Sequence, residues 1–370
     1  MPGAVANPIN APARRGPLPG WVGTPLSHVY ALAIGRINRR YDAGRGVVRF
    51  DRPVISVGNL SAGGTGKTPM VARIVRMLRA AGHRPCIAMR GYKGGGGSDE
   101  AAAYGREFPG LPIVAQADRT HGLIELFHAE HEGEAPHTDC IVLDDGFQHR
   151  RIGRELDIVL IDSTRSVFAD RLLPAGWLRE PVSSLRRAGA VVITHAEASQ
   201  PTELRTLEAQ IAGIRGRGPE AIARHQWSGL SVWAGGADRE ETAAWLRGKR
   251  AFAVCAIGNP GPFLDAATKA VGGTLAGAMV LRDHDPYGSS TLVRVLHEAT
   301  SSGAQVVLTT EKDWSKLARV AAGQWPCPVA RPRLELGFDR GGSELDALVL
   351  ETVRRGVPED EAEPPAAESS

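Results

Sequence analysis

The stretch "SVGNLSAGGTGKTP", Ser56 to Pro69, constrains this chain more than any other. A short β-branched run, "PVISV" from Pro53 to Val57, leads into a glycine-rich turn. Met70, Ile74, Met77 and Leu78 then repeat at helical spacing. Strand, glycine-rich turn and helix together make a cradle in which successive backbone N–H groups and a helix N-terminus face phosphate. The usual pattern G-x-x-x-x-G-K-[ST] has glycine where this chain has Ser61. The physics rests on later positions. Gly63, Gly64 and Gly66 allow close approach and positive φ, Lys67 reaches the β/γ oxygens, and Thr68 offers a hydroxyl to Mg²⁺. Ser61, Ala62, Gly63, Gly64, Thr65, Gly66, Lys67 and Thr68 are therefore the expected nucleotide-binding residues. Pro69 falls in the first helical turn, where a missing N–H costs little.

Further apolar runs follow with helical stretches between them: "PCIAMRGY", "CIVLDDG", "LDIVLID", "AVVITHA", "AFAVCAIGNP" and "QVVLTTEKD". Each ends in a polar residue, as buried parallel strands do when they present ligand groups at their carboxyl ends. The expected fold is α/β, a P-loop NTPase-like parallel sheet with helices on both faces, plus a second, smaller α/β domain. A composition change near "RHQWSGLSVWAGG" and a matching extended stretch "PVARPRLELGF" supply strand-like linkers. The expected divisions are a disordered leader over 1–20, a P-loop domain over 21–225, a smaller domain over 226–345, and a helix end with a disordered acidic tail over 346–370.

"CIVLDDGFQHR" carries Asp144 and Asp145 at a strand end, where carboxylates complete a Mg²⁺ shell begun by Thr68. Arg90 closes a neighbouring strand and suits phosphate or an acid. The histidines 121, 128, 131 and 137 are weighed as a zinc site, but without cysteine or a fixed partner they read as a solvated helix. Guanine recognition commonly uses [NT]-K-x-D, and "TTEKDW" sets Lys312 directly against Asp313, so ATP is the expected nucleotide.

The net charge of +3 hides an asymmetry: residues 1–52 hold eight arginines against Asp42 and Asp51. That basic start points to an anionic surface, membrane or nucleic acid. Leu26, Val29, Tyr30, Ala33, Ile34 and Ile37 recur at helical spacing there, with Arg36, Arg39 and Arg40 beside them. Both a helix packed on the protein body and a helix on a membrane fit this pattern. Four scattered cysteines without C-x-x-C read as reduced core residues of a cytosolic protein. No apolar run nears the roughly 18 residues of a spanning helix.

Taken in order, "PVISVGNLSAGGTGKTP", "RGY", "DDGFQHR", "LPAGWLREP", "AIGNPGPF", "DH" and "TEKDW" resemble the tetraacyldisaccharide 4'-kinase family from about Pro25 to about Leu336. The resemblance implies phosphoryl transfer from ATP to the 4'-hydroxyl of an acylated glucosamine disaccharide 1-phosphate, giving lipid IVA at the cytoplasmic face of the inner membrane. It implies two α/β/α domains with the site in the cleft between them, an amino-terminal helix touching the bilayer, Mg²⁺ as cofactor and no nucleic-acid partner. By the same resemblance Asp99, in "SDE", matches the catalytic carboxylate and His284 its partner histidine. Lys67, Thr68, Arg90, Asp144, Asp145, Gln148 and Glu180 match the remaining motif positions.

Overall fold

In the computed structural model the described residues are 16–62, 65–91, 99–283 and 285–356, with the side chain of Asp99 also outside the description. Most of the expected leader, the tail from residue 357, Gly63, Gly64 and His284 therefore lie outside the described residues. The chain forms two compact units. One runs to Ala223 and resumes at Phe338; the other is Arg224–Gly337.

The first unit opens with α1 (Gly20–Asp42), followed by β1 (Val54–Asn59), α2 (Lys67–Ala80), β2 (Pro85–Met89), α3 (Asp99–Glu107), β3 (Ile113–Ala115) and α4 (Arg119–His131). Then come β4 (Cys140–Asp144), β5 (Leu156–Asp162), β6 (Ala190–Thr194), α5 (Pro201–Arg215) and the start of β7 (Ala221–Ala234). The strands lie in the order β3-β2-β4-β1-β5-β6-β7. Their pairing is parallel throughout, with Val54 opposite Ile141 and Ile55 opposite Leu156. Every residue of β1, β2, β4, β5 and β6 is buried, as strands covered on both faces require. One face packs Leu123, Leu126 and Phe127 of α4 against Val54, Cys86 and Ile141. Leu207 and Ile211 of α5 cover Val159, Ile161, Val191 and Ile193.

Within the second unit β7 pairs antiparallel with β8 (Ala237–Glu241). After these come β9 (Ala251–Cys255), α6 (Gly261–Val271), β10 (Gly277–Val280), α7 (Ser289–Ser301), β11 (Val306–Leu308), α8 (Glu311–Leu317) and β12 (Val329–Arg340). Strands β10-β9-β11-β12 are parallel. Period-2 alternation divides β9: Ala251, Ala253 and Cys255 meet Phe263 and Ala267 of α6, while Phe252 and Val254 meet Val295 and Ala299 of α7. The chain re-enters the first unit along β12, and α9 (Gly342–Arg355) buries Leu345, Val349 and Val353 there.

The cysteines are free; Cys86, Cys140 and Cys255 are buried and Cys327 is half-buried. Burial pushes the thiols of Cys86 and Cys255 up to about 12, so both stay protonated and inert.

Candidate active site

The site is built where β1 and β4 end. Asn59, the last residue of β1, donates from Nδ2 to Thr65 Oγ1 (2.8 Å), and Thr194 at the end of β6 donates from Oγ1 to the Thr65 carbonyl (3.0 Å). The far limb of the loop is thus fixed from two strands. Its near limb pairs with a different segment: Ser61 bridges Leu178, Ala62 N donates to Trp177 O (2.8 Å), and Arg179 N donates to Leu60 O (2.8 Å). Ser61 is absent from the residues with positive φ, so no glycine conformation is needed where the common motif has one. Gly66, in contrast, has φ of 82° and caps α2, whose first residues are Lys67 and Thr68.

The turn after β4 is pressed against β1. A Cβ on Gly146 would come within 2.5 Å of Ser56 Oγ, so only glycine permits the approach. Asp145, just before it, is held at φ 53°, a conformation that costs a non-glycine residue of order 1–3 kcal/mol. That backbone aims its carboxylate at two cations. Oδ2 takes a charge-assisted hydrogen bond from Arg179 (2.7 Å), and Oδ1 faces the Lys67 ammonium at 3.4 Å. The buried Arg119 donates to its carbonyl (3.1 Å). Burial alone would raise the Asp145 pKa, but Lys67 and Arg179 outweigh it and hold the group below the usual carboxylate range.

Asp144 behaves oppositely. Burial and the nearby charge of Glu100 push it up to about 6, against the opposing pull of Lys67 and of the hydrogen bond donated by Tyr104. Adjacent carboxylates are thereby held at different proton affinities. Oδ1 of Asp145 is buried, accepts no hydrogen bond among the described residues and faces the Lys67 ammonium. Together with the Thr68 hydroxyl, such an oxygen suits a hard divalent cation.

The remaining expected residues separate. Gln148 braces the loop, donating to Asn59 O (2.8 Å). Arg90 is exposed just past β2, and its charge is felt by Arg119. Asp99 begins α3. Glu180 is turned away from the phosphate loop: its buried carboxylate binds Arg187 (2.7 Å), Asn38 (2.9 Å) and Ser184 (3.0 Å). It therefore seats α1, as do Ser27 Oγ donating to Leu172 O (2.9 Å) and Tyr30 OH donating to Arg179 O (2.9 Å). One segment, residues 172–180, lies between α1 and the phosphate loop. The packed face of α1 is the one bearing Gly23, Ser27, Tyr30 and Asn38, whereas Trp21 (83% exposed), Val29 (64%) and Leu32 (74%) point outward. Pattern reading grouped Val29 with Tyr30; hydrogen bonding, which hydropathy does not register, separates them.

Sequence reasoning missed Arg179, Arg119, Tyr104, Asn59 and Thr194. Arg179 was within reach, lying beside Glu180 in "LREP", but a lone arginine carries no spacing signal, and the other four look like ordinary helix or strand positions.

A phosphate loop on a parallel sheet, followed by lysine and threonine at a helix start and faced by acids at the next strand end, defines a P-loop phosphotransferase site. The particular kind is given by comparison. The chain matches the family described as Tetraacyldisaccharide-1-P 4'-kinase, LpxK, over residues 20–351, and it belongs to that family. The tetraacyldisaccharide 4'-kinase of Geobacter metallireducens is 36% identical over 316 residues, 80% of this chain and 88% of that protein. The Anaeromyxobacter dehalogenans enzyme of the same name is 34% identical over 359 residues, 91% and 92% respectively. A crystal structure of LpxK from Aquifex aeolicus, in complex with ATP, superposes with a TM-score of 0.65 at 28% identity, covering 89% of this chain and 98% of that one.

Proposed function

We propose that this chain binds ATP with Mg²⁺ at the loop of residues 61–68 and transfers the γ-phosphoryl group to the 4'-hydroxyl of a tetraacyldisaccharide 1-phosphate, giving lipid IVA. The observation that carries the reading is the meeting of Lys67 and Arg179 on Asp145 beside a loop clamped at Thr65. Two cations held on one carboxylate are positioned to follow negative charge onto a transferring phosphoryl group. Lys67 sits on the first turn of α2, so its charge adds to that of the helix N-terminus. Thr68, Asp144 and Asp145 would hold Mg²⁺, which when bound would neutralise charge on the β- and γ-phosphates. A sugar hydroxyl has a pKa far above 7, so its proton leaves as it attacks. Asp99 is assigned as acceptor and His284 as the residue supporting it, on the family match.

The acceptor is lipid, and α1 offers a matching surface. Its inner face is anchored by hydrogen bonds, and its outer face carries Trp21, Val29 and Leu32 together with Arg36, Arg39 and Arg40. No helix among the described residues is long and apolar enough to cross a membrane. Peripheral contact with the cytoplasmic face of the inner membrane is the arrangement this surface fits.

Labelled ATP, Mg²⁺ and the tetraacyl disaccharide 1-phosphate, incubated with the protein in detergent, should yield a 4'-phosphorylated product by chromatography. Absence of product with folded protein would end the reading. Arg36→Glu with Arg39→Glu should lower partitioning onto anionic vesicles by at least roughly thirtyfold, since each basic residue contributes about 1 kcal/mol near such a surface and the reversed charges add repulsion. Unchanged partitioning would remove α1 from membrane contact.

A further inference from the structure

Tyr104 lies in α3, in the plain run "AAAYGRE", and is 0% exposed. Its hydroxyl donates to Asp144 Oδ2 at 3.0 Å. Asp144 closes β4, so a phenol from α3 holds a carboxylate assigned to the cation. The helix that delivers it begins with Asp99, and Glu100, one turn ahead of Tyr104, is close enough for its charge to act on Asp144. A phenylalanine would fill the same space. Burying a hydroxyl costs free energy unless it is bonded, so the hydroxyl is accounted for by what it holds.

We infer that Tyr104 is a positioning residue for the reaction: it fixes the rotation of the Asp144 carboxylate for Mg²⁺, and ties α3 to the end of β4. Metal occupancy and the seating of α3 are thereby linked through one side chain. The inference rests on the assignment of Asp144 to the cation. Partners that orient metal-holding groups typically change metal affinity by about 10–100-fold when removed.

The experiment uses the full chain and Mn²⁺ as probe, with binding to the ADP complex measured by electron paramagnetic resonance. Tyr104→Phe should weaken Mn²⁺ binding about tenfold while leaving metal-free ADP binding within about twofold, and high Mg²⁺ should restore part of the lost kcat. In an Asp144→Asn background Tyr104→Phe should add little further loss, because the carboxylate through which it acts is gone. Circular dichroism and the melting temperature of the metal-free protein establish that the ring still packs. Tyr104→Met, which also fills the site without a hydroxyl, repeats the measurement if the first variant folds poorly. Wild-type Mn²⁺ affinity in either folded variant overturns the inference. Wild-type Mn²⁺ affinity in Asp144→Asn alone overturns instead the assignment of Asp144 to the cation, so the two failures are distinguishable.

Discussion

Each unit gathers its sequence motifs at the carboxyl edge of a parallel sheet, yet the two edges are made differently. In the first unit the motif side chains stay partly open and charged: Lys67, Asp145 and Arg179 are 16%, 24% and 29% exposed and bind one another through ions. The second unit keeps Lys312 and Asp283 partly open, 28% and 42% exposed and 3.8 Å apart, but turns one motif carboxylate fully inward. Asp313 of "TEKDW" is 0% exposed, accepting from Thr310 Oγ1 (2.7 Å) and from Ala256 N at the start of "AIGNPGPF" (3.1 Å). Tyr287, also 0% exposed, has its phenol raised by burial and then by Asp313. Lys316 and Arg319 hold the carbonyls of Asp285 and Tyr287. The first edge keeps ionic groups available for a ligand; the second uses the Asp313 carboxylate to join the end of β9 to the start of α8. A motif-like string of polar letters is thus compatible with either use, and burial decides between them.

The largest expected effect tests the first edge. Lys67→Ala should lower kcat by about 10²–10³ with the melting temperature nearly unchanged, since it removes charge aimed at the transferring group while leaving the core intact. Steady-state kinetics with ATP and the disaccharide lipid checks this. Activity within tenfold of wild type would make Lys67 a surface cation like the others.

Asp313→Ala tests the second edge and should reverse the pattern. The change leaves Ala256 N and Thr310 Oγ1 without their buried acceptor, a loss of about 3 kcal/mol of stability. Denaturant unfolding should report that loss while ADP affinity is kept. If instead stability holds and nucleotide affinity falls, the division between open and braced edges is wrong.

Much of this was legible in the sequence. The strand–loop–helix around Lys67 and the acids at the end of β4 were readable because period-2 and period-3.6 runs flank them and the chemistry fixes the spacing. The parallel sheets follow from continuous apolar runs such as "CIVLD" and "LDIVLID". What could not be read depends on contacts between distant segments. Arg179 reaches Asp145 only because residues 172–180 pair with the loop. Glu180 sits in a motif, but its direction is set by Asn38 and Arg187, on either side of it in sequence. The return of the chain at Phe338 falls inside β12, a strand that continues past Gly337 without turning, so the glycine there marks no break in the element.

A smaller effect concerns the support behind the open edge. His195, at φ 58° after β6, places Nδ1 3.3 Å from Asp162 Oδ1. Burial opposes its charge, but the bond to Asp162 and its field raise the histidine pKa, with Glu197 adding and Arg165 subtracting. Asp162 is correspondingly lowered, the same partner overcoming its burial. The histidine contribution is complete below its unfolded value near 6.5 and lost as pH rises through the higher folded value. The Asp162 contribution is present above its unfolded value near 3.9 and lost as pH falls through the lower folded one. The pair therefore stabilises most between about pH 4 and 6.5. His195→Gln should cost about 1–3 kcal/mol at pH 6 and clearly less at pH 9, read from urea unfolding at both values. Equal losses would mean the imidazole is neutral throughout.

The smallest effect returns to Ser61. Were the first glycine of the common motif a requirement of phosphate binding, restoring it should tighten ATP. The geometry argues otherwise: Ser61 lies in extended pairing with Leu178, its φ is not positive, and the loop N–H groups are positioned through Thr65 and Gly66 further along. Ser61→Gly should leave KM for ATP within about twofold and lower stability by roughly 0.5–1 kcal/mol, because glycine loses more backbone freedom on folding than serine. A tenfold change in KM in either direction would mean that this residue leaves its pairing when nucleotide arrives, and that the near limb of the loop is a moving part of the open edge and not a fixed support.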